Sequence, residues 1–316
     1  MGIVLAHIEP IEERYTKQWL DSIKPHCKAV IGSEELQVIN DGQFLDVKGT
    51  NKFKLEQGIG IINAIEQGVL TDDDTLFFLD LWNPVVCNIN YIKYCMEYKF
   101  KIAGMLHAGT WDSHDFLSKQ GLGHWCRGLE QSMIESANKI IVATDFHKNM
   151  IEDYFRKAYP TMVVEKFPVF TPDIKSKKEN IVVFPHRLAD EKQPFLFDKL
   201  KQSYYNKYGN WNDDIKWIKT KDVWTNKNEY YKLLARSKVA VSFALQETFG
   251  IAMLESLNLG CIPLAPNRLS YKETLPEYLY EDMDDLVEKI HDALNKYERP
   301  QPYGVKDFTN IIKHLK

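Results

Sequence analysis

Glu247 and Glu255 stand eight positions apart in the stretch ETFGIAMLE, separated by small and apolar residues. Eight residues of helix advance roughly 12 Å and return nearly to the same face, so carboxylates at this spacing can address two parts of one ligand. Between them, the amides of Phe249, Gly250 and Ile251 open a helix whose positive end favours phosphate, with Thr248 in the same loop. Gly250 lets the backbone come close to such a group. Upstream, FPHRLADEKQP offers the guanidinium of Arg187 and the ammonium of Lys192. A planar fork and a nearby point charge neutralise an anion that grows as a bond breaks, and need no metal to do so.

Such groups need elements to hold them. The first half of the chain alternates short apolar runs with helical patterns: IVLAHI (3–8), LQVI (36–39), TLFFLDL (75–81), KIAGMLH (101–107) and KIIVAT (139–144). Unalternated runs of this length suit strands buried on both faces of a parallel sheet. LEQGIGIINAIEQGV and GLEQSMIESAN between them read as helices, which makes a βαβ layout. After VVEKFPVF, the polar TPDIKSKKEN marks a boundary and the pattern resumes with IVVFPH (181–186), DIKWIKT, EYYKLLARSK, VAVSFA, GIAMLESLNLG, CIPLAP and DDLVEKIHDALNKY. The expected organisation is a domain over 1–170, a second over 171–300, and a closing helix in 301–316 positioned to return to the first. Ligands of doubly wound sheets bind beyond the carboxyl ends of the strands.

At 316 residues, two domains are the natural prior. Hydrophobic residues at 44% and charged at 27% exclude disorder and collagen. Five scattered cysteines form no disulfide framework and no zinc spacing, and the start IVLAHI has no signal-peptide pattern, so a cytoplasmic location is expected. No apolar run approaches a membrane span, so no integral membrane segment is expected. Residues 1–168 carry 17 Lys and Arg against 23 Asp and Glu, the remainder 23 against 21. The acidic first half gives no footprint for duplex phosphate.

The E-x7-E stretch, the strand-end Arg187 with Glu191-Lys192, and LNLGCIPLAPNRLSYKETL ending in Glu273 together resemble the retaining GT-B glycosyltransferases of the E-x7-E type, grouped with glycogen synthases and bacterial sugar transferases. The resemblance implies an α/β fold of two Rossmann-like doubly wound domains facing a cleft. It further implies transfer of a sugar from a nucleotide diphosphate sugar, UDP- or GDP-linked, to a hydroxyl of a glycan or small molecule, without a metal. In it Arg187 and Lys192 take the diphosphate, Glu247 the sugar hydroxyls, Glu255 the ribose, and His107, ending its strand before Ala108-Gly109, the acceptor side. The family's glycine-rich first loop is replaced by AHIEPIEERYTKQW, where Glu9, Pro10, Glu12 and Glu13 give no close approach to phosphate and Arg14, Tyr15 or Trp19 become acceptor contacts. His114 and Asp115 in TWDSHDF are further acceptor-side candidates.

Asp72-Asp73-Asp74 reads as a solvated turn, Asp80-Leu81-Trp82 is not an Asp-x-Asp metal pattern, and the Tyr and Met residues of YIKYCMEYKF read as core. Richness in Lys, Tyr and Asn is reminiscent of phage enzymes, which would place the chain in a host cytoplasm and make a hydroxymethylated DNA base the alternative acceptor; nothing identifies a base pocket. A non-catalytic nucleotide-binding module is the rival of another class. A dinucleotide oxidoreductase is disfavoured because the first strand lacks G-x-G-x-x-G.

Overall fold

The computed structural model describes residues 2–11, 14–37, 46–209, 214–223 and 226–316. They form two compact units, one of residues up to Pro168 together with Asp307–Lys316, the other Val169–Lys306.

The first unit contains β1 (Ile3–Ala6), α1 (Thr16–Ile23), β2 (Ala29–Ile31), α2 (Val47–Glu66), β3 (Thr75–Phe78), α3 (Val85–Cys95), β4 (Lys101–Met105), α4 (Phe116–Lys119), α5 (Gly123–Glu135), β5 (Lys139–Val142), α6 (Asp145–Phe155) and β6 (Met162–Val164). Its sheet is parallel in the order β2-β1-β3-β4-β5-β6. Every residue of β1 and β3 is buried, which is why their sequence runs show no polar alternation. The core on one face of this sheet gathers Phe78, Ile102 and Ile140 with Ile61 of α2, each contributing about 1.5–3 kcal/mol on burial.

The second unit contains β7 (Glu179–Phe184), α7 (Pro194–Tyr208), β8 (Lys216–Lys219), α8 (Lys227–Arg236), β9 (Ser237–Val241), α9 (Ile251–Asn258), β10 (Ile262–Pro266), α10 (Tyr271–Thr274), β11 (Leu279–Tyr280) and α11 (Met283–Asn295). Its parallel sheet runs β11-β10-β9-β7-β8. The chain then contributes α12 (Thr309–Leu315) to the first unit, where Thr75 Oγ1 donates to Leu315 O at 3.0 Å and Phe308 meets Trp19 edge-on. Crossovers leave β1 and β7 in opposite directions, so the ligand crevices expected of doubly wound sheets lie at β1/β3 and at β7/β9.

Several expectations are corrected. The strand beside β1 is β2, within KAVI, and not LQVI: Leu36 is exposed, Gln37 makes an isolated bridge to Ile11, and residues 38 and 39 lie outside the described residues, as do Glu12 and Glu13. The helix read from residue 55 starts two turns earlier, where Asp46 accepts from Lys48 N; its polar opening VKGTNK carries no apolar period. Tyr91, Tyr94 and Met96 are exposed, since only the Val85, Val86 and Ile89 face of α3 is buried. Asp74 is buried: it accepts from Gly2 N, Thr71 and Lys28. Burial opposes its charge, but these donors outweigh it and hold the carboxyl well below the usual range.

His147, in the first turn of α6, is wholly buried and its Nε2 accepts from Trp111 Nε1 at 3.2 Å. Burial, with His107 nearby, pushes its pKa from 6.5 down to about 3. Because the folded value lies below the unfolded one, the unfolded chain binds more protons between these limits, and stability falls as pH drops from 6.5 towards 3. Thermal melting of the full chain across that range is expected to show this loss, and His147→Gln to flatten it; an unchanged slope would contradict the assignment.

Candidate active site

In the second unit the crevice at β7/β9 is built by two loops. After β7 the chain passes His186 and Arg187, then a 3₁₀ turn over Asp190–Lys192 aims the Lys192 side chain inward. Lys192 is buried, and its Nζ donates to Gln246 O at 2.5 Å and to Glu247 Oε1 at 2.8 Å. The loop after β9 is pinned back by Leu245 N donating to Glu191 O at 2.8 Å. Arg187, more exposed, donates through Nε to Glu191 Oε1 at 2.9 Å. The structure thus brings Lys192 and Glu247 into direct contact and holds Arg187 over Glu191.

His186 lies fully buried beneath this pair. Burial first, then the cations of Lys192 and Arg187, hold its pKa well below 6.5, so a neutral ring sits beside two positive charges.

Gly250 caps α9 in the left-handed region at φ +90, where a glycine is favoured. A Cβ there would stand 2.9 Å from the ring of Tyr271, which is itself buried and hydrogen-bonded to Ser242 Oγ at 2.8 Å. No side chain caps the start of α9, so the amides from Ile251 onward keep their positive end turned away from the helix. Phe249 is buried and packs edge-on to Tyr303. Thr248 completes the loop. Tyr271 is the residue of this segment that packs against Gly250.

Glu255 is 2% exposed and fully engaged. Its Oε1 accepts from Tyr231 at 3.0 Å and sits 2.8 Å from Lys227 Nζ; its Oε2 accepts from Tyr230 at 3.0 Å. Lys227, Tyr230 and Tyr231 share one face of α8 at positions i, i+3 and i+4. The three were missed in the sequence, although that spacing was visible there.

In the first unit, His107 lies two residues beyond β4, with Nε2 bonded to Leu79 O at 2.7 Å and its ring against Trp19, Phe167 and Tyr15. Arg14 forms a turn onto Ile11 O beside Tyr15 at the start of α1. Tyr15 and His107 are therefore brought together. Trp19 is corrected from an acceptor contact to core: it is fully buried and its Nε1 donates to Pro168 O. Asp115 is buried and caps α4 by accepting from Leu117 N at 2.9 Å, while the His114 amide donates to Asp112 Oδ1. Both serve the local turn. Among the described residues, no cluster of three His, Cys, Asp or Glu is placed to hold a metal, and no helix is long and apolar enough to cross a membrane.

The arrangement of both sheets recurs in the α,α-trehalose-phosphate synthase (UDP-forming) of Burkholderia vietnamiensis, with a TM-score of 0.60 at 10% identity over 94% of this chain and 91% of that one. The fold is GT-B. TarM matches with a TM-score of 0.50 at 17% identity over 72% of this chain, which spans 49% of TarM. In sequence, the chain is 42% identical over 66 residues to the tRNA-queuosine alpha-mannosyltransferase of Drosophila melanogaster, a match covering 21% of this chain and 18% of that protein. No family model matches the chain.

Gly250→Ala combines a strained backbone with the approach to Tyr271, and is expected to cost about 1–3 kcal/mol in the second unit. Chemical denaturation of the variant and the parent checks this, and an unchanged midpoint would contradict it.

Proposed function

We propose that the chain is a glycosyltransferase that moves a sugar from a nucleoside diphosphate to a hydroxyl acceptor with retention of configuration. The observation that carries the reading is the buried ammonium of Lys192 held on Glu247, close in sequence to the uncapped start of α9. A buried cation with a single carboxylate partner is suited to receive a second anion, and the amides of the helix start favour the same kind of group. Arg187 adds a guanidinium able to leave Glu191 for a phosphate, a geometry that guanidinium matches well.

In this reading the bond from the anomeric carbon to the diphosphate oxygen breaks, its electron pair stays with the leaving diphosphate, and Lys192, Arg187 and the α9 amides stabilise the charge. Glu247 accepts from sugar hydroxyls. Retention places the acceptor oxygen on the face the diphosphate leaves, so the leaving phosphate oxygen is the nearest base for the acceptor's proton. Glu255 takes the ribose hydroxyls when Lys227 gives way. Tyr15 and His107 line the acceptor side, with Arg14 beside them.

The donor is a UDP- or GDP-sugar, and the acceptor a hydroxyl of a glycan or small molecule. The local likeness to a tRNA-queuosine alpha-mannosyltransferase favours, as a second acceptor, a hydroxylated nucleoside of RNA over a modified DNA base. A mannose donor would fit that reading.

The test is a panel of UDP- and GDP-sugars without acceptor. At least one is expected to raise the melting temperature by mass action and to release free sugar slowly. Arg187→Ala and Lys192→Ala are each expected to lower that turnover by about 10²-fold or more. A donor that binds and stays intact would leave a nucleotide-binding module instead, and unchanged turnover in either variant would remove that residue's role.

A further inference from the structure

Helix α2 carries apolar residues on two opposite sides, and only one side serves the fold. Phe53, Ile61 and Ala64 are buried in the first unit. On the other side Leu55 is 62% exposed, Ile59 61% and Ile62 36%. A single exposed leucine or isoleucine is ordinary, but three at i, i+4 and i+7 make a continuous stripe. Isoleucine is also a weaker helix former than the lysine, glutamate or alanine that suits a solvated face, so local propensity does not account for the stripe.

The stripe belongs to a longer seam. Lys48, Lys52, Leu55, Ile59, Ile62 and Glu66 recur at alternating steps of four and three, and all six are exposed. At about 100° per residue they fall within an arc of about 80° and run about 27 Å along the axis. Alternating steps of four and three are the spacing at which two helices interlock side chains along their length.

The order of charges along the seam selects what covers it. Lysines stand at its amino end and a glutamate at its carboxyl end. Each seam residue also has a complement equally far beyond the level of residue 57: Leu55 with Ile59, Lys52 with Ile62, and Lys48 with Glu66. A second copy of α2, laid antiparallel across a two-fold axis at that level, sets Leu55 on the partner's Ile59 and the methylenes of Lys52 on the partner's Ile62. The Lys48 ammonium then faces the partner's Glu66. Parallel pairing would set lysine on lysine and glutamate on glutamate, which repels. Lys52 already pairs with Glu56 of its own helix at 3.6 Å, so Lys48 and Lys52 are balanced by Glu56 and Glu66. A face without net charge has no hold on an anionic bilayer, whose docking helices are rich in lysine and arginine.

We propose that two copies of the chain associate through the exposed face of α2, antiparallel about a two-fold axis, with Leu55, Ile59 and Ile62 as the apolar centre and Lys48 and Glu66 fixing the direction. A single helix pair is small for a specific interface, so the dissociation constant is expected to be on the order of 10 µM. The dimer requires nothing of the sugar-transfer reaction and stands or falls apart from it.

The test is sedimentation velocity of the full chain across a hundred-fold concentration range about that value. The parent is expected to pass from monomer to dimer. Ile59→Glu, at a solvent-facing position, is expected to remain monomeric throughout while melting at the parent's temperature in dilute solution. Glu66→Lys turns two attractions into two repulsions and is expected to weaken the dimer about ten-fold. Combining it with Lys48→Glu reverses both ends of the seam and is expected to restore association. A parent that stays monomeric, a dimer that survives Ile59→Glu, or a paired exchange that restores nothing would each overturn the proposal. So would a parent that stays monomeric yet co-sediments with vesicles of phosphatidylcholine and phosphatidylglycerol and loses that binding with Ile59→Glu, since the face would then dock on lipid.

Discussion

A lysine ammonium cannot be taken out of water alone, and the second unit is organised around that constraint. Lys192 reaches the interior only because the 3₁₀ turn after β7 delivers it to Gln246 O and Glu247, carried on the loop after β9. Two strand ends are thereby tied by one cation. The cost of burying that charge is offset by one carboxylate and one carbonyl. His186, kept neutral by burial, avoids placing a third positive charge there.

The Gly250–Tyr271 contact does the complementary work. A left-handed glycine lets the chain turn into α9 with no side chain over its first amides, and Tyr271, anchored on Ser242, fills the space that any larger residue would need. Within the second unit, a cation from one loop and a helix start from the next are fixed by packing. The first unit uses the same sheet architecture with opposite electrostatics: the edge at β1 and β3 carries Glu9 and Asp80 around Lys54, and the buried His7. The two units are therefore chemically distinct despite their similar topologies.

Much of this was legible in the sequence, and the misses share causes. Unbroken apolar runs such as TLFF and KIIV identify buried parallel strands because nothing polar can face either side. The three-residue strand Ala29–Ile31 was hidden by its length, and the first turns of α2 by their polarity. Arg187 with Lys192, and Glu247 with Gly250, could be singled out in the sequence because each pair is close along the chain. Lys227, Tyr230 and Tyr231 were not, since their meaning depends on Glu255 approaching from another helix. Trp19 shows the converse: a residue type able to contact a ligand is equally able to fill a core, and burial decides.

The central claim is that the buried Lys192 charge is a grip for a diphosphate. The most direct measurement is calorimetric binding of UDP and GDP beside UMP and GMP, for the parent chain and for Lys192→Met. The diphosphate of the preferred base is expected to bind about ten-fold or more tightly than its monophosphate in the parent chain, a difference of about 1.4 kcal/mol, with the gap closing in the variant. Equal affinities for the two phosphates in the parent, or a gap that survives Lys192→Met, would contradict it.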